Sequence, residues 1–222
     1  MNAMAADTTG WSRAVVICAR SLPESGRAGT LGVVVADISY GPGTPGDDEL
    51  RLCGDVTDGR RAVELGISPW FNSIAFARAG ARSIAIDPDP DRITATRGRA
   101  AEAEVQVQCL ETDLADLGEV ASASCDVVLA VHTIDRVDDL GRLLRQVHRI
   151  LKPSMPLVMS MPHPFADIAP ERPYGTSART IGAWFTSLAR ANFRVDQVLE
   201  LGATTASPAP ATLILRARKE GS

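Results

Sequence analysis

Gly66 and Asp87 stand about twenty residues apart, joined by the uninterrupted stretch GISPWFNSIAFARAGARSIAID. A glycine turn followed at that distance by a strand-ending acid is the spacing with which nucleotide-binding folds set a carboxylate on ribose hydroxyls. Glu64 lies two residues before the glycine, at a helix entrance where a carboxylate can also satisfy backbone donors. Asp113 follows a later strand, and His132 follows an aliphatic run. An imidazole in such a place can act as a general base. His148 falls on a helical stripe and reads as surface or packing. His163, between Pro162 and Pro164, reads as part of a turn or as the lining of a substrate mouth. Cys18, Cys53, Cys109 and Cys125 show no close pairing, which fits free thiols in a reducing cytoplasm and no disulfide or zinc framework.

The elements that must position these residues follow from periodicity. Residues 61–65 form a short apolar run closed by Gly66. A helical pattern follows with Ile74, Ala75, Ala77 and Ala79, ended by Gly80, and a second apolar run ends on Asp87. Strand, turn, helix and strand within thirty residues require a parallel pair with a right-handed crossover. Residues 91–101 predict a helix packing through Ile93, Ala95 and Ala100, and residues 105–109 alternate as a third strand. CDVVLAV at 125–131 is nearly continuous aliphatic, the mark of a strand covered on both faces. Leu140, Leu143, Leu144, Val147 and Leu151 share one helical face, and Lys152-Pro153 ends that helix. Residues 157–161 supply a fifth strand, and residues 179–191 a helix with Ile181, Trp184, Phe185 and Leu188 on one side. Residues 195–201 and 211–217 follow with no helix between them, so they should pair antiparallel. The expected fold is α/β: a doubly wound, Rossmann-like, seven-stranded sheet with an antiparallel last strand. Ligands in such sheets bind beyond the carboxyl ends of the strands, here 64–66, Asp87, 110–114 and 131–135.

Length and composition set bounds. The 222 residues suit one sizeable domain, with 23% charged and 45% hydrophobic residues. A net charge of -4 argues against nucleic acid as the partner. No apolar run is long enough to span a bilayer, and the first residues lack a basic leader, so a cytoplasmic location is expected. Residues 1–38 form an N-terminal extension in which 14–19 and 31–36 are each a strand or a buried helical turn. The turn-rich segment YGPGTPG at 40–46 and a short helix from Asp47 to Leu52 lead into a single domain at 39–222.

Several ordered blocks resemble the class I S-adenosylmethionine-dependent methyltransferases, especially an actinobacterial small-molecule type. They are YGPGTPGDDELRLCGDV, VELG, NSIAFARAGA, AIDPDPDRI, ETDLADL, CDVVLAVHTIDRVDDLGRLLRQVHRILKP, SMPHPF, RTIGAWFTSLARANFRVDQVLEL and PATLILRARKEG. The resemblance covers about residues 38–220 and implies S-adenosyl-L-methionine as cofactor and a small-molecule methyl acceptor. It implies that Asp87, with Pro88 after it, meets the ribose hydroxyls, and that Asp113 and Leu114 border the adenine. Glu64, Gly66 and Ser68 would lie beside the methionine moiety, and Val131 and His132 would floor the transfer site, His132 as the candidate catalytic base.

The chain departs from that family's pattern in its glycine loop. The family's acid-x-Gly-x-Gly-x-Gly is matched at Glu64 and Gly66, while Ser68 and Trp70 take the later glycine places with Pro69 between them. Ser154-Met155 replaces a glycine pair, and the cover segments near 173–180 and 203–209 are short. A shorter cover weakens water exclusion. These departures keep a second reading open, in which the chain is a catalytically inactive methyltransferase-fold protein that binds a ligand or partner. Truncated cover segments also suggest a homodimer.

Overall fold

In the computed structural model, residues 15–18, 38–135, 137–166, 168–176, 178–204 and 209–221 are described. Their order is β1 (Val15–Cys18), α1 (Asp47–Leu50), β2 (Arg61–Leu65), α2 (Asn72–Arg78), β3 (Arg82–Asp87), α3 (Pro90–Glu102), β4 (Val107–Glu111) and β5 (Val127–Val131), followed by α4 (Leu140–Ile150), β6 (Pro156–Pro162), α5 (Ile181–Arg190), β7 (Phe193–Leu201) and β8 (Thr212–Lys219). One sheet runs β1-β7-β8-β6-β5-β2-β3-β4. The strands β2 to β6 pair in parallel, and β8 is antiparallel to both β6 and β7. The seven strands β2 to β8 give the expected arrangement. Val15–Cys18 adds an eighth, parallel to β7, so the described part of the 14–19 segment is strand. Residues 31–36 lie outside the described residues.

Each helix lies where its apolar stripe demands. All of VVLAV in β5 is buried, as a strand covered on both faces must be. On α4, Leu140, Leu143, Leu144, Val147 and Ile150 are buried and join one core cluster with Val63, Leu65, Val128 and Trp184. The opposite face of the sheet is covered by α2 and the lead-in, with Tyr40, Leu52, Phe76, Leu129 and Val158 in a second cluster. Asp47 anchors that lead-in. Its carboxylate accepts from the Tyr40 hydroxyl and from the backbone N–H of Leu52 at 2.6 Å and Cys53 at 3.0 Å.

Three details correct the reading from sequence. The third strand is Val107–Glu111, two residues beyond the 105–109 window, because Ser83 to Asp87 pair with Val107 to Glu111. On α3 the buried residues are Ile93, Thr96 and Ala100, while Ala95 is exposed; only the former keep the helical repeat. Trp184 and Leu188 of α5 are buried, but Phe185, one step around the helix, is exposed. A bulge between Val195 and Gln197 interrupts the β7 register at Asp196, which meets Arg216 and Arg218 of β8. Among the described residues, no helix is long and apolar enough to cross a membrane.

Candidate functional site

The carboxyl ends of β2, β3 and β5 converge on the segment 66–71. Gly66 leaves β2 at φ +75°, in the left-handed region that glycine occupies without cost, and its N–H donates to the Ile86 carbonyl at 2.8 Å. The loop then turns at Ser68 and enters α2 through Phe71, which is itself left-handed at φ 49°.

Glu64 is buried and holds this turn together. Its Oε1 accepts from the Ser68 N–H at 3.2 Å, the Ser68 hydroxyl at 3.0 Å and the Asn72 N–H at 3.1 Å; Oε2 accepts from the Ser73 N–H at 2.7 Å. The carboxylate thus satisfies donors in the first turn of α2, where backbone N–H groups lack helical partners. Burial raises its pKa, against the pull of the Ser73 and Ser68 donors. Ser68 is likewise buried, its side chain spent on Glu64.

Asp87 ends β3 with 2% of its surface exposed. Its Oδ2 accepts from the Ile67 N–H at 2.7 Å, and its Oδ1 from the Asp89 N–H at 2.9 Å. Arg92, one turn into α3, reaches back to within 3.4 Å of Oδ2 and also lies 3.5 Å from the Ile67 carbonyl and 3.6 Å from the Asp89 carboxylate. The guanidinium therefore ties the glycine loop to the tip of β3. The sequence carried a signal for this contact, since Arg92 lies on the first turn of the helix that follows Asp87.

Pro88, Asp113 and Leu114 meet in one cleft of about 360 Å³, completed by Val137, Asp138, Asp139 and Arg142. Asp113 is exposed, and its Oδ1 accepts from the Ala115 N–H at 2.7 Å. Asp139 caps α4 through the Arg142 N–H at 2.8 Å. Three carboxylates against one guanidinium give the cleft a negative field.

The floor of the site is tightly filled. Val131 belongs to the core, with its side chain among Leu129, Tyr40 and Phe76. His132 has φ +56°, its N–H donates to the Ser160 carbonyl at 2.8 Å, and its Nε2 is buried without a hydrogen-bond partner. Its ring lies 5.9 Å from Trp70, tilted by 57°. A Cβ on Gly41 would come within 2.8 Å of that Nε2, so the lead-in packs directly on the imidazole. Burial lowers the His132 pKa, with the Asp135 carboxylate opposing, which favours the neutral base. Thr133 covers Gly66. Its hydroxyl donates to the Leu65 carbonyl at 2.7 Å, and its Cβ would lie 2.3 Å from a Cβ built on Gly66. Nothing in the spacing of Gly66 and Thr133 announces this contact.

Besides Val131 and His132 at the floor, the structure gathers the expected residues into two groups. Pro88, Asp113 and Leu114 share the open cleft; Glu64, Gly66, Ser68 and Asp87 are bound up in the loop beside it. Among the described residues, no group of three or more His, Cys, Asp or Glu is placed to hold a metal.

Residues 63–159 match the family model described as a methyltransferase domain. Among curated proteins, none matches the chain. Solved structures are similar in fold. An S-adenosylmethionine-dependent methyltransferase from Mesorhizobium loti is 23% identical, covering 77% of this chain and 95% of its own at a TM-score of 0.62. One from Aquifex aeolicus is 15% identical, covering 78% of this chain and 88% of its own at 0.63. The [4+2]-cyclase SpnF is 16% identical, covering 79% of this chain and 81% of its own at 0.63. Residues 63–159 thus match a methyltransferase domain, and the strand order gives the chain the fold of the solved class I S-adenosylmethionine-dependent methyltransferases.

Proposed function

We propose that the chain is an S-adenosylmethionine-dependent methyltransferase acting on a small molecule. The observation that supports this most directly is the meeting of Pro88, Asp113 and Leu114 in one cleft at the ends of β3 and β4, where open α/β sheets bind nucleosides. The residues present fit the adenine end of the cofactor. They do not fit its ribose and methionine end in this conformation. Both oxygens of Asp87 are engaged by the chain's own N–H groups, Thr133 stands on Gly66, and Trp70 packs against His132. Cofactor binding on this reading requires the loop 66–71 to move away from the tip of β3. On this reading the neutral His132 at the floor would hold a substrate proton.

The saturation of Asp87 favours a second reading, in which the fold persists without methyl transfer. Calorimetric titration of the full chain with S-adenosylmethionine and S-adenosylhomocysteine separates the two. Saturable heat supports the transferase, and Trp70→Gly should then bind more tightly by relieving the indole contact. No heat at millimolar cofactor removes the transferase reading. The aromatic and aliphatic side chains of Phe165, Ile168 and Tyr174, each 40–49% exposed after β6, form the face on which we propose a homodimer. Sedimentation equilibrium checks it: a dimer that Phe165→Ser with Tyr174→Ser dissociates is expected, and a monomer at all concentrations refutes it.

A further inference from the structure

We propose that the groove between α2 and α3 is a binding site for a small planar aromatic monoanion, distinct from the cleft at the strand tips. The groove has a volume of about 370 Å³ and is lined chiefly by Trp70, Phe71, Ile74, Arg78, Arg99 and Glu102. That volume falls in the range of small-molecule sites, roughly 300–1,000 Å³. Trp70 and Phe71 are half-buried and make its aromatic wall, and Ile74 makes its aliphatic floor. Of these, Trp70 stands where the family's pattern has glycine, and the transferase reading gives neither aromatic side chain a task.

Charge decides the class of ligand. Two guanidiniums against the single carboxylate of Glu102 leave the groove with one net positive charge, in a chain whose net charge is -4. Among the described residues, neither Arg78 nor Arg99 has a carboxylate within ion-pair distance. Arg99 instead lies 4.2 Å over the Phe71 ring, an arrangement that keeps its fork of N–H donors at the groove. The cleft at the strand tips has the opposite sign, with Asp113, Asp138 and Asp139 against Arg142. An anion is therefore repelled from the one and attracted to the other. A carboxylate offers a guanidinium two parallel hydrogen bonds, and a flat ring behind it stacks on the exposed part of the indole. A neutral aromatic forgoes the first contact, and a cation meets two like charges. Trp70 also touches His132, so an occupant of the groove bears on the floor of the methyl-transfer site.

The test uses the full chain and three probes of one shape: 1-naphthoate, 1-naphthalenemethanol and 1-naphthylmethylammonium. Calorimetry should show saturable binding of the naphthoate, with the alcohol and the ammonium weaker by about tenfold or more. Arg78→Gln and Arg99→Gln, both exposed, should each weaken the naphthoate about fivefold or more while circular dichroism stays unchanged. The naphthoate should also shift the Trp70 indole N–H resonance and leave that of the buried Trp184 in place. The proposal is overturned if the naphthoate gives no heat, if the alcohol matches it, if both arginine variants bind as the parent does, or if the Trp70 resonance is unmoved. It stands apart from the transferase reading, because none of these measurements involves S-adenosylmethionine.

Discussion

Replacing Gly66 by Ala tests how the site is closed. Two costs add at that position. The backbone at φ +75° lies in the left-handed region, where an L side chain costs about 1–2 kcal/mol. The new Cβ would lie 2.3 Å from the Thr133 Cβ and 2.6 Å from its hydroxyl oxygen, with Thr133 fixed by its hydrogen bond to the Leu65 carbonyl. Overpacking of that kind costs about 1–3 kcal/mol. The sum is a loss of about 2–5 kcal/mol, read as a lower urea midpoint at constant slope. Thr133→Gly removes the atoms in the way. By itself it loses the hydroxyl bond, about 0.5–1.5 kcal/mol, and some backbone order. Combined with Gly66→Ala it should recover the steric part, so the double variant is expected to be about 1–3 kcal/mol more stable than additivity predicts. The left-handed cost should persist in the double variant, since no neighbour causes it. Simple additivity, or a Gly66→Ala cost below about 1 kcal/mol, would refute the claim that Thr133 sits on Gly66.

Two further outcomes concern protonation. Because burial lowers the His132 pKa, its imidazole should titrate below the ordinary value of about 6.5 in a ¹H–¹³C nuclear magnetic resonance titration. The sign follows: the unfolded chain takes up a proton first, so stability from His132 is full above about pH 6.5 and is lost as pH falls through the folded value. A midpoint at or above about 6.5 contradicts the buried floor. At Asp196, burial opposes ionisation, but the hydrogen bonds from Arg216 at 2.9 Å and Arg218 at 2.6 Å outweigh it and hold the carboxyl below its usual range. Its contribution is present above about pH 4 and is lost as pH falls through the folded value. Asp196→Asn should cost about 1–3 kcal/mol at pH 7 and much less near pH 2.5, measured by urea unfolding at both; an equal cost at the two would show that the pair does not govern the acid limb.

What the sequence made legible is what depends on near neighbours. A continuous aliphatic strand such as 127–131 and an apolar stripe such as that of α4 announce themselves, because burial of a whole face repeats with the period of the element. Where the period was sampled loosely the reading slipped: Ala95 and Phe185 each stand off the buried stripe, and β4 lies two residues later than its alternation suggested. Pro88, Asp113 and Leu114 were legible for the same reason, since a strand tip is fixed by where its strand ends, and all three line one cleft. The closure of the loop was not legible. It depends on Thr133 reaching the Leu65 carbonyl and on the Ile67 N–H reaching Asp87, contacts between residues 68 and 20 positions apart whose meeting is set by the path of the loop and not by any spacing.

That difference bears on what a degenerate motif means. Trp70 in a glycine place suggests either an indole inside the cofactor site or an altered wall. The structure gives it two faces, one against His132 and one in the groove beside α3. On the transferase reading, the groups that would close the ribose and methionine end are Arg92, Thr133 and the Ile67 N–H, which meet Asp87 and Gly66. If Trp70→Gly failed to tighten cofactor binding while Arg92→Ala or Thr133→Gly succeeded, the barrier would lie in the latch across Asp87 and Gly66. The indole would then be a surface element facing the groove beside α3.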